Sequence, residues 1–296
     1  MPIAHELEYA RPETIEEALG LLEKHGSGAR LLAGGTDVVA ALRDGNITPE
    51  IVIDIKAIPG LGALTCDADV VRLGALTTFT DIIESAAALE HAPLLHEMAV
   101  TVASLGVRNR ATVVGNICSA VPSCDSGAIL LVYDASVHVV GQGGERVIPI
   151  TEWFTGPKRT ALGGAEIVTS VSLPVPEGGH GGAYVKLGRY RGEDLVQASV
   201  AVLALGDSSY RVAFGAVAAT PVRAPKIEAL LGGAELTDSL IEDARKLVAE
   251  ETSPIADIRA SREYREHMLP VMFERGLRAA AQRRAGGGTA YGTRHI

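Results

Sequence analysis

Hydrophobic and polar positions along the chain change period in a way that divides it into three parts. In the first, "PETIEEALGLLEKHG" repeats apolar residues at helical spacing between three short apolar runs, "ELEYARP", "ARLLAGG" and "EIVIDI". The spacing predicts a helix in which Thr14 is the N-cap, Glu16 and Glu17 fill the first turn and Gly26 is the stop. A second short helix, "TDVVAALRDG", precedes the third strand, so residues 1–58 read as a compact α/β unit.

From residue 59 the signal changes. "LGALT" at 61–65 and "LGALTTF" at 73–79 frame a predicted hairpin, followed by a helix capped by Thr78 or Thr80 and by a second helix in "APLLHEMAVTVASLG". "VRNRATVVGNICSAVPSC" reads as extended, glycine-interrupted chain passing through a proline turn. Asp125 is expected to cap the apolar helix after it, which leads to a strand ending at Gly143–Gly144, and "EIVTSVSLPVP" closes this unit at 176. "EGGHGG", 177–182, reads as a linker. Beyond it "AYVKLGRY", "VQASVAVLAL" and "YRVAFGAVAATPVRA" alternate as antiparallel strands do, and helical segments follow to residue 285. Residues 286–296, "AGGGTAYGTRHI" without its first alanine, are expected to be a flexible tail.

Composition narrows the function. Hydrophobic residues are 47 % and charged residues 21 % of 296, enough for a large core. A net charge of −9 argues against a nucleic-acid binder, which needs a basic face. No apolar run reaches the ~18 residues of a membrane span, and "MPIAHELEYARPET" lacks the charged-then-apolar order of a secretory signal, so a cytoplasmic protein is expected. Cys66, Cys118 and Cys124 are too few for a four-thiolate cluster and form no disulfide framework. The histidines have no metal-ligand spacing: His91 and His96 in "HAPLLHEM" miss the His-Glu-x-x-His pattern and read as helix-surface residues. No metal site is expected in this chain.

Two glycine segments carry candidate chemistry. In "LLAGGTDVVAAL", Gly34 and Gly35 allow positive φ and close backbone approach, Thr36 or Asp37 can cap the next helix, and a helix N-terminus favours an anion. This fits a phosphate clamp, and equally a tight strand-to-helix turn that holds nothing. "ATVVGNICSAVPSCDS" repeats the logic: Thr112 offers a hydroxyl, Gly115 close approach and Asn116 a left-handed conformation, with Asp125 at a helix start. Together the segments could hold the two phosphates of a dinucleotide. Neither matches G-x-G-x-x-G after a strand, and neither has the GK[ST] of a P-loop.

These two segments, with "VRLGALTTFTDI", "FTGPKRTALGGAEIVTSVSLP" and "AFGAVAATPVRAPKIEALL" in the same order, resemble the FAD-binding medium subunit of molybdenum hydroxylases, the xanthine dehydrogenase and carbon monoxide dehydrogenase group. The resemblance covers nearly the whole chain. It implies an α+β fold: a two-subdomain α/β FAD-binding domain of the PCMH, vanillyl-alcohol-oxidase-like type (1–58 and 59–176), then a C-terminal domain (177–285) with a three-stranded antiparallel sheet and helices. It puts Leu31, Leu32, Ala33, Gly34, Gly35, Thr36, Asp37 and Val38 along the FAD pyrophosphate, and Ala111, Thr112, Gly115 and Asn116 over it from the other side. Val102, Ala103, Cys118 and Asp125 would line the rest, with Val168 and Lys186 near the isoalloxazine ring. Tyr190 is either a strand aromatic or a shield for the ring, and "RGED", 191–194, a hairpin turn.

The chain departs from the family at Val114, where a glycine is usual; an ordinary φ with the side chain packed outward is expected there. The implied function is electron transfer from [2Fe–2S] clusters on a small partner, through FAD, to an external acceptor. A molybdenum cofactor would sit on a large partner in a dimer of heterotrimers, and no catalytic acid, base or nucleophile is needed in this chain. Met268, Val271 and Met272 are read as partner surface or as core. The alternative is a stand-alone FAD oxidase of the vanillyl-alcohol type, against which the chain has too few residues after the FAD region for a large substrate cap.

Overall fold

The computed structural model describes residue 3, residues 5–190 and residues 194–296; Arg191, Gly192 and Glu193 of the expected hairpin turn lie outside these. Strands Glu8–Ala10, Ile51–Asp54 and Ala29–Leu32 form a parallel sheet in that spatial order. The central strand is buried at every position, as a strand covered on both faces must be. Helix Ile15–His25 packs Ala18, Leu19 and Leu22 into the core. The Thr14 hydroxyl accepts from the Glu17 amide at 3.2 Å, and Gly26 ends the helix at a φ of 50°.

A five-stranded antiparallel sheet follows, in the order Leu64–Cys66, Val70–Gly74, Glu166–Pro174, Ser136–Gly141 and Gly144–Pro149. Thr78 caps helix Phe79–Glu84 reciprocally: its hydroxyl accepts from the Asp81 amide at 3.1 Å and the Asp81 carboxylate accepts from the Thr78 amide at 2.8 Å. Helix Asp125–Val132 is buried along its whole length. Cys124, not Asp125, holds its N-cap position, because the Asp125 carboxylate is turned to partners outside the helix.

Two short helices replace the expected extended chain: Leu105–Arg108 runs into its start, and Val113–Ser119 lies within it. The second forms despite its β-branched start because the Thr112 hydroxyl accepts from the Gly115 amide at 2.9 Å. Asn116 is therefore helical rather than left-handed, and Val114, whose φ is ordinary as expected, turns its side chain into the core at 5 % exposure rather than outward.

The C-terminal sheet has four antiparallel strands rather than three: His180–Leu187, Ala198–Leu205, Tyr210–Gly215 and the two-residue Val222–Arg223. The last pairs through Ala213 and Phe214 and is too short for alternation to reveal. The first begins inside the expected linker, directly after Gly178 and Gly179, both at positive φ. Strand Ala198–Leu205 is buried throughout, and its alternation serves two cores. Ala201, Leu203 and Leu205 join the core of the preceding domain, while Val200, Val202 and Ala204 pack with Phe273 and Leu277 of helix Arg262–Arg284. Met272 belongs to that second core with no exposure, and Met268 packs against it partly buried.

Candidate functional site

The two glycine segments meet through their backbones. A Cβ built on Gly34 would lie 1.9 Å from the Arg110 carbonyl oxygen, so only glycine lets the first segment approach the second. Gly35 supplies the reversal, with a φ of 83°. The contact is reinforced by side chains. The Ser119 hydroxyl donates to the Asp37 carboxylate across the two segments. Asp37 accordingly occupies the N-cap position of helix Val38–Arg43 without accepting a bond from it, and Thr36 does not cap it either.

The sheet holds the first segment from behind. Lys56 donates to the Ala33 carbonyl at 3.3 Å and pairs with Asp54 at 2.7 Å, and the Tyr9 hydroxyl donates to Asp54 at 2.6 Å. Burial works to raise Asp54, but the hydrogen bonds from Lys56 and Tyr9 outweigh it and hold the carboxyl below its ordinary range.

The polar supply of this seam is main-chain amides. Among the described residues, the amides of Gly34, Gly35, Thr36 and Asp37 donate to no protein atom, and neither do those of Val113 and Val114 at the start of helix Val113–Ser119. Leu31, Leu32 and Ala33 beside them are only half-buried. Unpartnered amides on a half-open apolar ledge suit a large ligand with an anionic centre. The flexible glycine turn, the backbone approach and the free N–H groups therefore fit the pyrophosphate of a dinucleotide cofactor. Gly115 contributes differently from expectation: its amide is spent on the Thr112 cap, and a Cβ there would stand 2.9 Å from the Thr112 hydroxyl.

Ala111 and Thr112 are anchored to the neighbouring helix. The Ala111 carbonyl accepts from the Phe79 amide at 3.1 Å, and Thr78 and Thr112 form an isolated antiparallel bridge. The Asn116 side-chain oxygen accepts from the Ser126 amide at 3.2 Å, tying this helix to the next. Cys118 is half-buried on the same helix. Val102 and Ala103 form a tight loop, with Ala103 at a φ of 37°, that Arg108 holds by donating to their carbonyls at 2.8 and 2.7 Å. Val168 is buried beside the bulge of strand Glu166–Pro174, which packs on helix Val113–Ser119.

A second polar group joins the two domains. The Asp125 carboxylate pairs with the Lys186 ammonium at 2.9 Å and accepts from the Tyr184 hydroxyl at 2.8 Å, while Lys186 also donates to the Thr101 carbonyl at 2.9 Å. Both charged side chains are about one-tenth exposed. Burial, then the adjacent Asp125 charge, pushes the Tyr184 hydroxyl well above its ordinary pKa. Tyr190 is 70 % exposed and so is not a packed strand aromatic.

Sequence reasoning missed Arg108, Trp153 and Tyr184. Trp153 is fully buried and donates to the Ile117 carbonyl at 3.0 Å, closing helix Val113–Ser119 from beneath. A lone tryptophan in a charge-poor chain was the one signal for it; nothing local marks the other two. His91 and His96 are half-buried rather than on the surface, and His96 lies 3.2 Å from the Ile83 carbonyl. Among the described residues there is no cluster of three metal-ligating side chains, and no helix is long and apolar enough to cross a membrane.

Comparison with known proteins agrees with this geometry. Residues 5–176 match the family described as FAD binding domain in molybdopterin dehydrogenase, and 183–280 match the CO dehydrogenase flavoprotein C-terminal domain. The chain is 33 % identical to the putative xanthine dehydrogenase FAD-binding subunit of Escherichia coli (strain K12), over 92 % of this chain and 95 % of that one. It is 31 % identical to the carbon monoxide dehydrogenase medium chain of Afipia carboxidovorans, over 93 % and 97 %. Its fold superimposes on a chain of the carbon monoxide dehydrogenase from Hydrogenophaga pseudoflava with a TM-score of 0.91 at 33 % identity, covering 96 % of this chain and 100 % of the other. Residues 281–296 lie outside both matched domains.

Proposed function

Because the chain belongs to the FAD-binding subunits of the molybdopterin dehydrogenases, we propose that it carries electrons within a multi-subunit molybdenum hydroxylase. They would pass from [2Fe–2S] clusters on a small partner to an external acceptor, while substrate is oxidised at a molybdenum cofactor on a large partner. FAD, when bound, supplies the reversible electron chemistry that links those clusters to the acceptor. The observation that carries this reading is the pair of joined segments with unpartnered amides at Gly34–Asp37 and Val113–Val114.

In this reading Leu31–Val38 hold the pyrophosphate from one side and the Val113 and Val114 amides hold it from the other, in a turn shaped by Ala111, Thr112, Gly115 and Asn116. Ser119 and Asp37 keep the two sides in register. Arg108 shapes the Val102–Ala103 wall. Val168, Cys118 and Asp125 complete the lining. Lys186 brings a buried positive charge to the flavin side, fixed by Asp125 and Thr101, where it favours negative charge on the ring. The three free thiols, Cys66, Cys118 and Cys124, fit a reducing compartment, and the assembly is proposed to work in the cytoplasm as a dimer of heterotrimers.

Rapid mixing tests the proposal. The isolated chain loaded with FAD should show no flavin bleaching with xanthine, an aldehyde or an N-heterocycle. The chain reconstituted with its molybdenum and iron–sulfur partners should bleach with the substrate of that complex. Bleaching of the isolated chain by such a substrate would instead identify a stand-alone oxidase.

A further inference from the structure

A buried ion pair ties the end of the structure to the flavin-side cluster. Glu97 of helix Pro93–Ala99 and Arg283 of helix Arg262–Arg284 both have side chains 3 % exposed, and the guanidinium approaches both carboxylate oxygens, at 2.8 and 3.1 Å. The remaining valences of the pair go to two places. Glu97 accepts from the Tyr184 amide at 2.8 Å, and Arg283 donates to the Gly182 carbonyl at 2.6 Å. On the other side Glu97 accepts from the Gly292 amide at 2.8 Å, and Arg283 donates to the carbonyls of Thr289 and Ala290, each at 2.9 Å. The Tyr291 ring lies 4.2 Å from the Arg283 guanidinium carbon, and its hydroxyl accepts from the Gly182 amide at 3.0 Å. Farther on, Arg275 donates to the His295 carbonyl at 2.8 Å.

Residues 292–296 of this segment, expected to be a flexible tail, line a cavity of about 180 Å³ together with Thr101, Tyr184 and Lys186. The segment's hydrogen bonds to the body of the protein are those of its main chain and of the Tyr291 hydroxyl, and Thr293 and Arg294 are exposed. A segment attached by a few hydrogen bonds over a cavity opens more readily than the core beneath it.

We propose that residues 289–296 are a strap that closes the cavity at Lys186 and controls which small molecules reach it, with Glu97 and Arg283 as the positioning residues that latch it. The strap opens without unfolding the sheet, because the Glu97–Arg283 pair stays in place through its bonds to Tyr184 and Gly182 when the strap leaves.

The test uses the full chain, a chain ending at Gly288, and Tyr291→Ala with Tyr291→Phe as the conservative variant. Lys186 acylation by a small water-soluble N-hydroxysuccinimide acetate is followed by peptide mass spectrometry without added FAD. The exposed Lys226 and Lys246 serve as internal references. Loss of the strap should raise the Lys186 rate at least about tenfold over the references, with Tyr291→Ala intermediate and Tyr291→Phe near the full chain. A Lys186 rate unchanged by truncation overturns the proposal.

Hydrogen exchange on the unmodified chain gives a reading that does not depend on any variant folding. A Gly292 amide that is protected, yet exchanges ahead of the amides of helix Arg262–Arg284, supports a strap that opens locally. One that exchanges together with that helix shows a fixed wall, and one without protection shows no strap; either overturns it. A further arm rests on the FAD reading. With FAD bound and reduced by light and EDTA, truncation should speed reoxidation by dichlorophenolindophenol more than reoxidation by O2, and equal acceleration of both overturns selective gating. FAD content is measured in each sample, so a chain that takes up no FAD counts against the FAD reading while Lys186 acylation still decides the strap.

Discussion

Gly34→Ala is the perturbation that separates the fold from the site. The new Cβ would stand 1.9 Å from the Arg110 oxygen and 2.7 Å from its carbonyl carbon, both main-chain atoms that cannot rotate away. Since real contacts almost never fall below 3.0 Å, the two segments must part by about 1 Å or more. Overpacking of this kind costs about 1–3 kcal/mol, which lowers the melting temperature by about 2–4 °C for each kcal/mol in a chain of this size class. The greater effect is expected on FAD. Moving the Gly34–Asp37 amides out of register with the helix at Val113 forfeits at least one charge-assisted hydrogen bond, about 1.5–3 kcal/mol, or about tenfold to a hundredfold in Kd.

Gly35→Ala should fall between Gly34→Ala and the unmodified chain. Its φ of 83° costs about 1–2 kcal/mol for a residue with a Cβ, but the nearest neighbour is the movable Leu32 side chain at 3.1 Å. Gly181→Ala is the control: its Cβ would lie 2.2 Å from the Arg284 nitrogen, an equally severe clash between the C-terminal sheet and its helix. The apo chains are titrated with FAD by flavin fluorescence and melted with and without FAD. Gly181→Ala should lose stability and keep its Kd. A folded Gly34→Ala chain with unchanged Kd, or a Gly181→Ala chain that loses as much affinity, would refute the reasoning.

Asp125→Asn leaves the buried Lys186 ammonium without its carboxylate and should cost about 3–5 kcal/mol; combining it with Lys186→Met should recover part of that, and a single variant that melts like the unmodified chain would contradict a buried pair. Burial alone would raise Asp257, yet the Arg259 and Ala260 amides and the Arg265 guanidinium hold its pKa at about 2. Its folded pKa thus lies below the unfolded value of 3.8, so its stabilisation is complete above that value and is lost as pH falls through 4 toward 2. The melting difference between Asp257→Asn and the unmodified chain should therefore shrink from pH 6 to pH 2, and a constant difference would count against it. Burial pushes the Cys124 thiol up to about 12, so a disulfide reagent at pH 8 should modify it only as fast as the chain unfolds; rapid modification of folded protein would disagree.

What could be read in the sequence was local. The Thr14 cap, the Gly26 stop and the alternation of "VQASVAVLAL" each depend on neighbours a few residues away, and each has the form expected. Helix Val113–Ser119 was hidden because a valine pair reads as strand, while the deciding hydroxyl of Thr112 acts on the backbone amide of Gly115, directly after that pair. The same misreading gave Asn116 a left-handed conformation and Val114 an outward side chain. For the site, both glycine segments were visible as segments. That Gly34 is required by Arg110 was not, because the reason lies on another part of the chain. The Glu97–Arg283 latch joins residues too far apart in sequence for any pattern to couple them, and Asp125 was visible as a residue while its partners Tyr184 and Lys186 came from a different domain.

The most direct test of the central claim, that FAD lies across the two joined segments, is residue-resolved hydrogen exchange of the apo chain with and without FAD. One FAD per chain should bind and be released by acid, and the amides of Gly34, Gly35, Thr36, Asp37, Val113 and Val114, which have no acceptor among the described residues, should slow together on binding. FAD binding that leaves these six amides unprotected, or that protects a different surface, would contradict it.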